Sequence, residues 1–178
     1  MEVKRQPRRL RAKLNLYKLE VLENPISVDD LNQIWDINQA NIPEVSDIPD
    51  MDRLRDLITW CSHVIVVRAD EIAGFILLMR ENQNYDSLNY DFFNSKGDPF
   101  LYVDRIAIKK NHIRNGLGSM IYKKTLEIAD NLGVMTCCEV NTEPRNDPSL
   151  AFHSSFGFKE VGLRDFDDHS VVYLVHKN

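Results

Sequence analysis

The sequence has no long apolar stretch. Its longest run, Ile72 to Met79 with Gly74 counted in, is eight residues, and a membrane helix needs about 20. Cysteine is scarce too. Three among 178 residues, an odd number, supply no disulfide framework. Cys137 and Cys138 are adjacent, and a zinc ribbon needs spaced pairs. His63, His112, His169 and His176 are scattered without metal spacing, so no metal site is expected. The thiols read as buried and reduced in a cytoplasmic protein. No apolar core of ~7–15 residues follows the N-terminus, so a secretory signal is not expected. There is no internal repeat. With 43% hydrophobic and 28% charged residues, wholesale disorder is excluded.

The net charge of −5 hides an asymmetry. Residues 1–13 carry Lys4, Arg5, Arg8, Arg9, Arg11 and Lys13 against Glu2 alone, a balance of +5, which leaves −10 for the rest. A folded part this acidic repels nucleic acid, so no DNA partner is expected. The basic head reads as a flexible, solvated tail. An arm toward RNA, an anionic surface or an acidic partner, and a short transit peptide, stay open beside that reading. Residues 14–178 read as a single domain.

Periodicity gives the order β-α-α-β-β-β-α-β-α-β-β. Residues 15–23 read as a strand. Ser27 and Asp30 open a helix whose apolar face is Leu31, Ile34 and Trp35. Leu54, Leu57, Ile58 and Cys61 mark a second helix. HVIVVR and IAGFILLMR form a hairpin around Ala69-Asp70-Glu71. Residues 82–99 break both periodicities and read as a long loop, a kind that is often functional. FLYVDRIAI is a strand, residues 116–132 a helix stopped by Gly133, and VMTCCEVN a strand. Asn146 opens a helix with Pro148 early in it, and two strands close the chain. The strand-helix-strand unit between residues 100 and 141 implies a parallel pair.

The informative stretch is Ile108 to Ser119, IKKNHIRNGLGS. A strand ends, a basic loop follows, and Gly116-Leu117-Gly118 opens a helix. Helix N-termini carry unpaired N–H groups and about half a positive charge. Glycines let a phosphate approach them, and Lys109, Lys110 and Arg114 add charge. A phosphorylated ligand is the expectation. A P-loop would need a lysine after Gly118. A dinucleotide fingerprint would need a small residue where Ile121 stands, although Glu139 lies where a ribose-binding acid would sit. A plain tight turn before a helix is the remaining alternative.

The segment Leu101 to Phe158 resembles the GNAT superfamily of acyl-CoA-dependent N-acyltransferases. The matching pieces are YVDRIAI, IRNGLGS, CCEVN and NDPSLAFHSSFGF, in the family's order and spacing. One departure is Ile113, where the family has Arg or Gln. The stretches NYDSLNYDFF and PSLAFHSSFGF are further similar to a group of predicted acetyltransferases, which supplies a fold and a cofactor but no acceptor. The resemblance implies an α/β (α+β) fold. Its central sheet is mixed and mostly antiparallel, with six to seven strands, a splayed parallel pair and about four flanking helices. It implies acetyl-CoA as the cofactor. The backbone of Ile113, Arg114, Asn115, Gly116, Leu117, Gly118 and Ser119 would hold the pyrophosphate. Ile106, Ala107 and Ile108 would pair with pantetheine as a short extra strand. Asn146, in the family's Asn-x-x-Ser/Ala pattern with Ser149, would bond the pantetheine arm, and Phe152 would pack along it. Many members pair through their late strands, and VVYLVH would be the edge used in a homodimer.

Direct transfer in a ternary complex needs a neutral amine, a stabilised oxyanion and a proton for the leaving thiolate. In the family the thiolate-side acid sits four residues before the Gly of Gly-Phe, which is His153 here. Asp104 and Glu139, on the two diverging strands, are the candidate bases. Tyr102 and Asn141 alternate with them, and Asn141 joins the substrate-binding set. Tyr85, Asp86, Asn89 and Tyr90 offer rings and acceptors to an amine. The leading expectation is an N-acetyltransferase acting on a small amine. The alternatives are an acetyltransferase for a protein N-terminus or lysine, and an inactive acyl-CoA-binding regulator.

Overall fold

In the computed structural model, residues 16–177 are described; the basic tail expected at residues 1–13 lies outside them. The elements are β1 Lys18–Leu22, α1 Val28–Gln39, α2 Met51–Trp60, β2 Cys61–Arg68, β3 Ile72–Arg80, α3 Leu88–Asn94, β4 Phe100–Ile108, α4 Leu117–Leu132, β5 Met135–Glu143, α5 Asp147–Ser155, β6 Lys159–Asp165 and β7 Ser170–His176. A short 3-10 turn at Lys110–His112 follows β4. The seven strands form one sheet in the order β1-β2-β3-β4-β5-β7-β6. Pairings β1–β2, β5–β7 and β6–β7 are antiparallel.

The β4–β5 pair is parallel, as the strand-helix-strand order requires. Its ladder covers only Phe100↔Met135, Leu101↔Thr136 and Tyr102↔Cys137. Past Tyr102 the two strands part. β5 continues its pairing with β7 as far as Glu143↔Ser170, with a bulge between Asn141 and Glu143.

The described residues divide into two compact units. One holds the chain up to Ile58, then His63–Leu77 and Ile106–Lys124. Its first helix forms where the sequence signals it. Ser27 Oγ accepts from Asp30 N–H at 3.1 Å, and Leu31, Ile34 and Ile37 turn inward. Trp35 Nε1–H donates to the Ile48 carbonyl at 2.9 Å, which fastens the loop after the helix. Asn38, fully buried, donates to the Ser46 carbonyl at 3.1 Å. Gly74 lets β3 pass close to β4. A Cβ there would overlap Ile108 Cδ1 and stand 3.0 Å from the Ala107 carbonyl oxygen.

The second unit holds Thr59–Ser62, Leu78–Arg105 and the chain from Thr125 onward. Its interior is aromatic. Tyr90, Phe93, Phe100, Tyr102 and Tyr173 are all buried. Two expectations need correction here. The stretch 82–99 is not a structureless loop, because α3 lies inside it. Ser87 caps α3, its Oγ accepting from Tyr90 N–H at 3.3 Å, and Tyr90 and Phe93 anchor the helix inward. Among the described residues this gives five α-helices, in line with the expectation of about four. VVYLVH is not an edge either: β7 lies between β5 and β6, and the edge strand is β6.

Overpacking at Gly74 should cost stability. Gly74→Ala is expected to lower the unfolding free energy by roughly 1–3 kcal/mol, read from the midpoint of urea denaturation at unchanged slope.

Candidate active site

The loop that opens α4 lies in the first unit. Lys109 N–H donates to the Ala73 carbonyl at 2.8 Å, which ends β4 firmly. Arg114 and Gly116 take positive φ values of 63° and 79°. Glycine adopts that region without strain, and Arg114 does so at a cost. Met120 N–H donates to the Gly116 carbonyl at 3.0 Å. The amides of Leu117, Gly118 and Ser119, in the turn before it, therefore have no partner within the helix. Unpaired amides, a helix dipole and glycines at the approach suit a pyrophosphate. Ile113 and Arg114 are exposed, Leu117 is buried, and Asn115, Gly116, Gly118 and Ser119 are half-buried. Of the three expected cations, Lys109 is paired with Glu71 at 2.7 Å. Tyr17 braces the loop through hydrogen bonds with His112 Nδ1 at 2.7 Å and Asn115 Nδ2 at 3.4 Å. In the strand before the loop, Ala107 is buried and Ile106 and Ile108 are half-buried. The Ile108 carbonyl accepts from Asn41 Nδ2 at 3.3 Å.

The carboxylates lie in the second unit. Tyr102 and Asp104 fall on one face of β4 by the period of two. Asp104 accepts from the Tyr85 hydroxyl at 2.6 Å and from Arg105 Nε at 2.7 Å. That ion pair is dry, with the Arg105 and Asp104 side chains 6% and 3% exposed. Arg105 also bonds the Tyr85 hydroxyl. Glu139 accepts from the Tyr102 hydroxyl at 2.8 Å. The Asn89 side chain nearby also favours its charged form. Burial, with the nearby Asp104 charge added, pushes Glu139 up to about 8. Burial and the same carboxylates push the Tyr85 and Tyr102 phenols far up, so both act as donors.

The other expected substrate residues divide. Tyr85 packs on Trp60, rings 5.2 Å apart. Tyr90 is 1% exposed, and its hydroxyl donates to the Arg80 carbonyl at 2.7 Å and accepts from Gln83 N–H at 2.9 Å. Tyr90 supports the site from behind. Asp86 is exposed, and Asn141 is half-buried two residues past Glu139. Trp60 and Tyr173 were not signalled by the sequence. Trp60 ends a helix with no periodic cue, and Tyr173 hides in an apolar run.

The third group sits on α5. Asn146 Oδ1 accepts from Ser149 N–H at 3.1 Å and caps the helix, and its side-chain NH₂ remains a donor. His153 is 4% exposed. Its Nδ1 lies 2.8 Å from the Ser149 carbonyl, so Nδ1 carries the proton and donates. Burial lowers its pKa and keeps the ring neutral. Nε2 is then an acceptor. Phe152 is half-buried and stacks near Phe156 at 4.9 Å.

A mixed sheet whose parallel pair parts after three residues, its two strands joined in sequence by a glycine-opened helix, defines the fold. The sequence model of the acetyltransferase (GNAT) family matches residues 31–158. The chain belongs to that family and is an N-acetyltransferase. The family uses acetyl-CoA. No curated protein matches it by sequence.

Several solved structures share the fold. The ribosomal-protein-S18-alanine N-acetyltransferase of Escherichia coli has a TM-score of 0.65 at 16% identity, covering 89% of this chain and 92% of that one. A chain of the NatC complex bound to Gag peptide and CoA has a TM-score of 0.70 at 10% identity, covering 91% and 98%. An N-acetyltransferase from Staphylococcus aureus has a TM-score of 0.66 at 16% identity, covering 90% and 98%.

Removing one partner of the dry ion pair strands the other. Arg105→Met is expected to destabilise the protein by about 3–5 kcal/mol. Arg105→Met with Asp104→Asn should recover part of that loss, measured by denaturant unfolding of both variants.

Proposed function

We propose that this enzyme acetylates the primary amine of a small molecule, with Glu139 as the base. The observation that carries the reading is the half-buried Glu139, held by neutral donors and pushed up to about 8. A carboxyl with such a pKa takes a proton from an ammonium far more readily than an ordinary glutamate does. Acetyl-CoA, when bound, supplies the acetyl thioester and leaves as the thiol. The amides of Ile113 to Ser119 hold its pyrophosphate. Ile106, Ala107 and Ile108 offer strand-type pairing to its pantetheine arm. The Asn146 NH₂, Ser149 and Phe152 contact that arm further along.

Glu139 takes the first proton from the acceptor ammonium and leaves a neutral amine to attack. His153, neutral and with Nε2 as acceptor, takes the second proton released from nitrogen and yields it to the departing sulfur. Asp104 works through Glu139, since its nearby charge raises the Glu139 pKa. Tyr85, Asp86, Asn89 and Asn141 line the acceptor side, and their oxygens favour a cationic amine. We read residues 14–178 as the transferase domain of a cytoplasmic enzyme. Among the described residues, no helix is long and apolar enough to cross a membrane.

A second reading is acetylation of a protein N-terminus. The likeness to the S18-alanine enzyme favours it. An intact-mass gain on a peptide panel, with none on small amines, would install it in place of the first. A CoA-binding regulator without turnover would show cofactor binding and no acetylated product on either panel.

Two measurements test the leading reading. Acetyl-CoA should raise the thermal midpoint by mass action, and one class of amines should raise it further. No shift with saturating acetyl-CoA would remove the cofactor assignment. Separately, kcat/KM should rise with pH through the Glu139 ionisation near 8, and Glu139→Gln should lose about 10²–10⁴-fold in turnover. The same substitution has a stability signature. The folded pKa of Glu139 lies above its ordinary 4.5, so the folded state holds a proton that the unfolded chain gives up. That contribution is complete below 4.5 and is lost as pH rises through about 8. Glu139→Gln should therefore flatten the decline in stability over that window.

A further inference from the structure

Glu139 and Tyr173 face each other across the antiparallel β5–β7 ladder. They therefore share one face of the sheet. The Tyr173 hydroxyl bonds Asn89 Oδ1 at 2.9 Å. The nearby Arg164 charge favours the ionised form of that phenol, against burial, which raises its pKa. Asn89 Oδ1 is a carbonyl oxygen and can only accept, so Tyr173 donates. This fixes which end of the Asn89 amide faces which neighbour. The carbonyl is committed to Tyr173, and the NH₂ is the end that can serve the Glu139 carboxylate.

The phenol that sets this polarity cannot swing. Phe92 stacks flat on the Tyr173 ring at 3.8 Å and 10°, and Phe93 meets its edge at 5.5 Å. Phe92 in turn occupies the space left by Gly162, where a Cβ would come within 2.8 Å of its ring.

We propose that Tyr173 and Asn89 form a positioning pair, which orients one amide so that Glu139 meets a donor and stays ready to accept a proton. This rests on the reading of Glu139 as the base. Were the amide reversed, its carbonyl would face the carboxyl, and only the protonated acid could bond it. The pair therefore opposes the groups that favour protonation. The titratable groups facing Glu139 are Asp104, whose charge favours protonation, Tyr102 and Tyr85 from β4 and the segment before α3, Cys137 on β5 itself, and Tyr173. Tyr102 donates to the carboxylate from the other side.

The test reads the Glu139 proton directly, in the full chain labelled with ¹³C at glutamate carboxyls. The Glu139 resonance is assigned by its loss in Glu139→Gln and titrated. Tyr173→Phe removes the phenolic donor, and Asn89→Ala removes the amide. Each should raise the Glu139 midpoint by roughly half a unit to one unit. Asn89→Ala, at a half-buried site, covers the case in which Tyr173→Phe fails to fold. Midpoints that stay at the wild-type value in folded variants would overturn the pair. A shift in Asn89→Ala with none in Tyr173→Phe would overturn the role of Tyr173.

Turnover by Glu139→Gln, with acetyl-CoA and a panel of diamines and amino acids, separates this from the base assignment. If that variant turns over like wild type while the midpoints move, the base reading fails and the pairing stands. If it is inactive while the midpoints stay put, the reverse holds.

Discussion

Two carboxylates stand on one poorly hydrated face of the sheet, and the cation goes to Asp104. Arg105 is spent on it at 2.7 Å. Glu139 receives the neutral Tyr102 hydroxyl instead. A buried carboxylate without a cation is costly, so it holds its proton to higher pH. That unequal division gives the two acids separate functions. Asp104 is bound into a dry network with Arg105 and Tyr85. Glu139 titrates in a range that enzymes use. The tyrosines around them keep their protons for the same reason of burial, so the site is rich in donors.

Much of the scaffold could be read before any coordinates. Ser27 and Asn146 sit where short polar side chains cap helices, and both do so. The stripe from Leu117 to Leu132 and the run Ile72–Arg80 appear as one helix and one strand. These are local signals, and local physics decides them. Helix α3 was missed because its seven residues are too few to establish a period. The position of β7 was missed because strand order is a property of the whole sheet. A hydrophobic strand beside another looks the same from sequence whether it lies inside or at the edge.

The site was legible in composition more than in connection. Tyr85, Asn89, Asp104 and Glu139 stood out as polar groups near the central strands, and they do gather. Their wiring did not stand out. Alternation sends Asp104 and Arg105 to opposite faces of β4, and only the length of the arginine lets it reach back. The Glu139–Tyr173 register requires knowing that β5 pairs with β7. The polarity of Asn89 requires knowing that the Tyr173 hydroxyl donates to it. His153 shows the opposite case. Its spacing from Gly157 was plain, but the proton on Nδ1 follows from a carbonyl one turn back in the helix.

Helix α3 has too few turns to persist on its own. It is held by what it leans on: Phe92 fills the hollow at Gly162 on β6, and Arg164 on β6 donates to the Leu88 carbonyl at 2.8 Å. An edge strand is the first part of a sheet to fray. When β6 opens, α3 loses its support and Asn89 goes with it. Through that packing, the surroundings of a proton acceptor on β5 depend on a strand at the margin of the sheet.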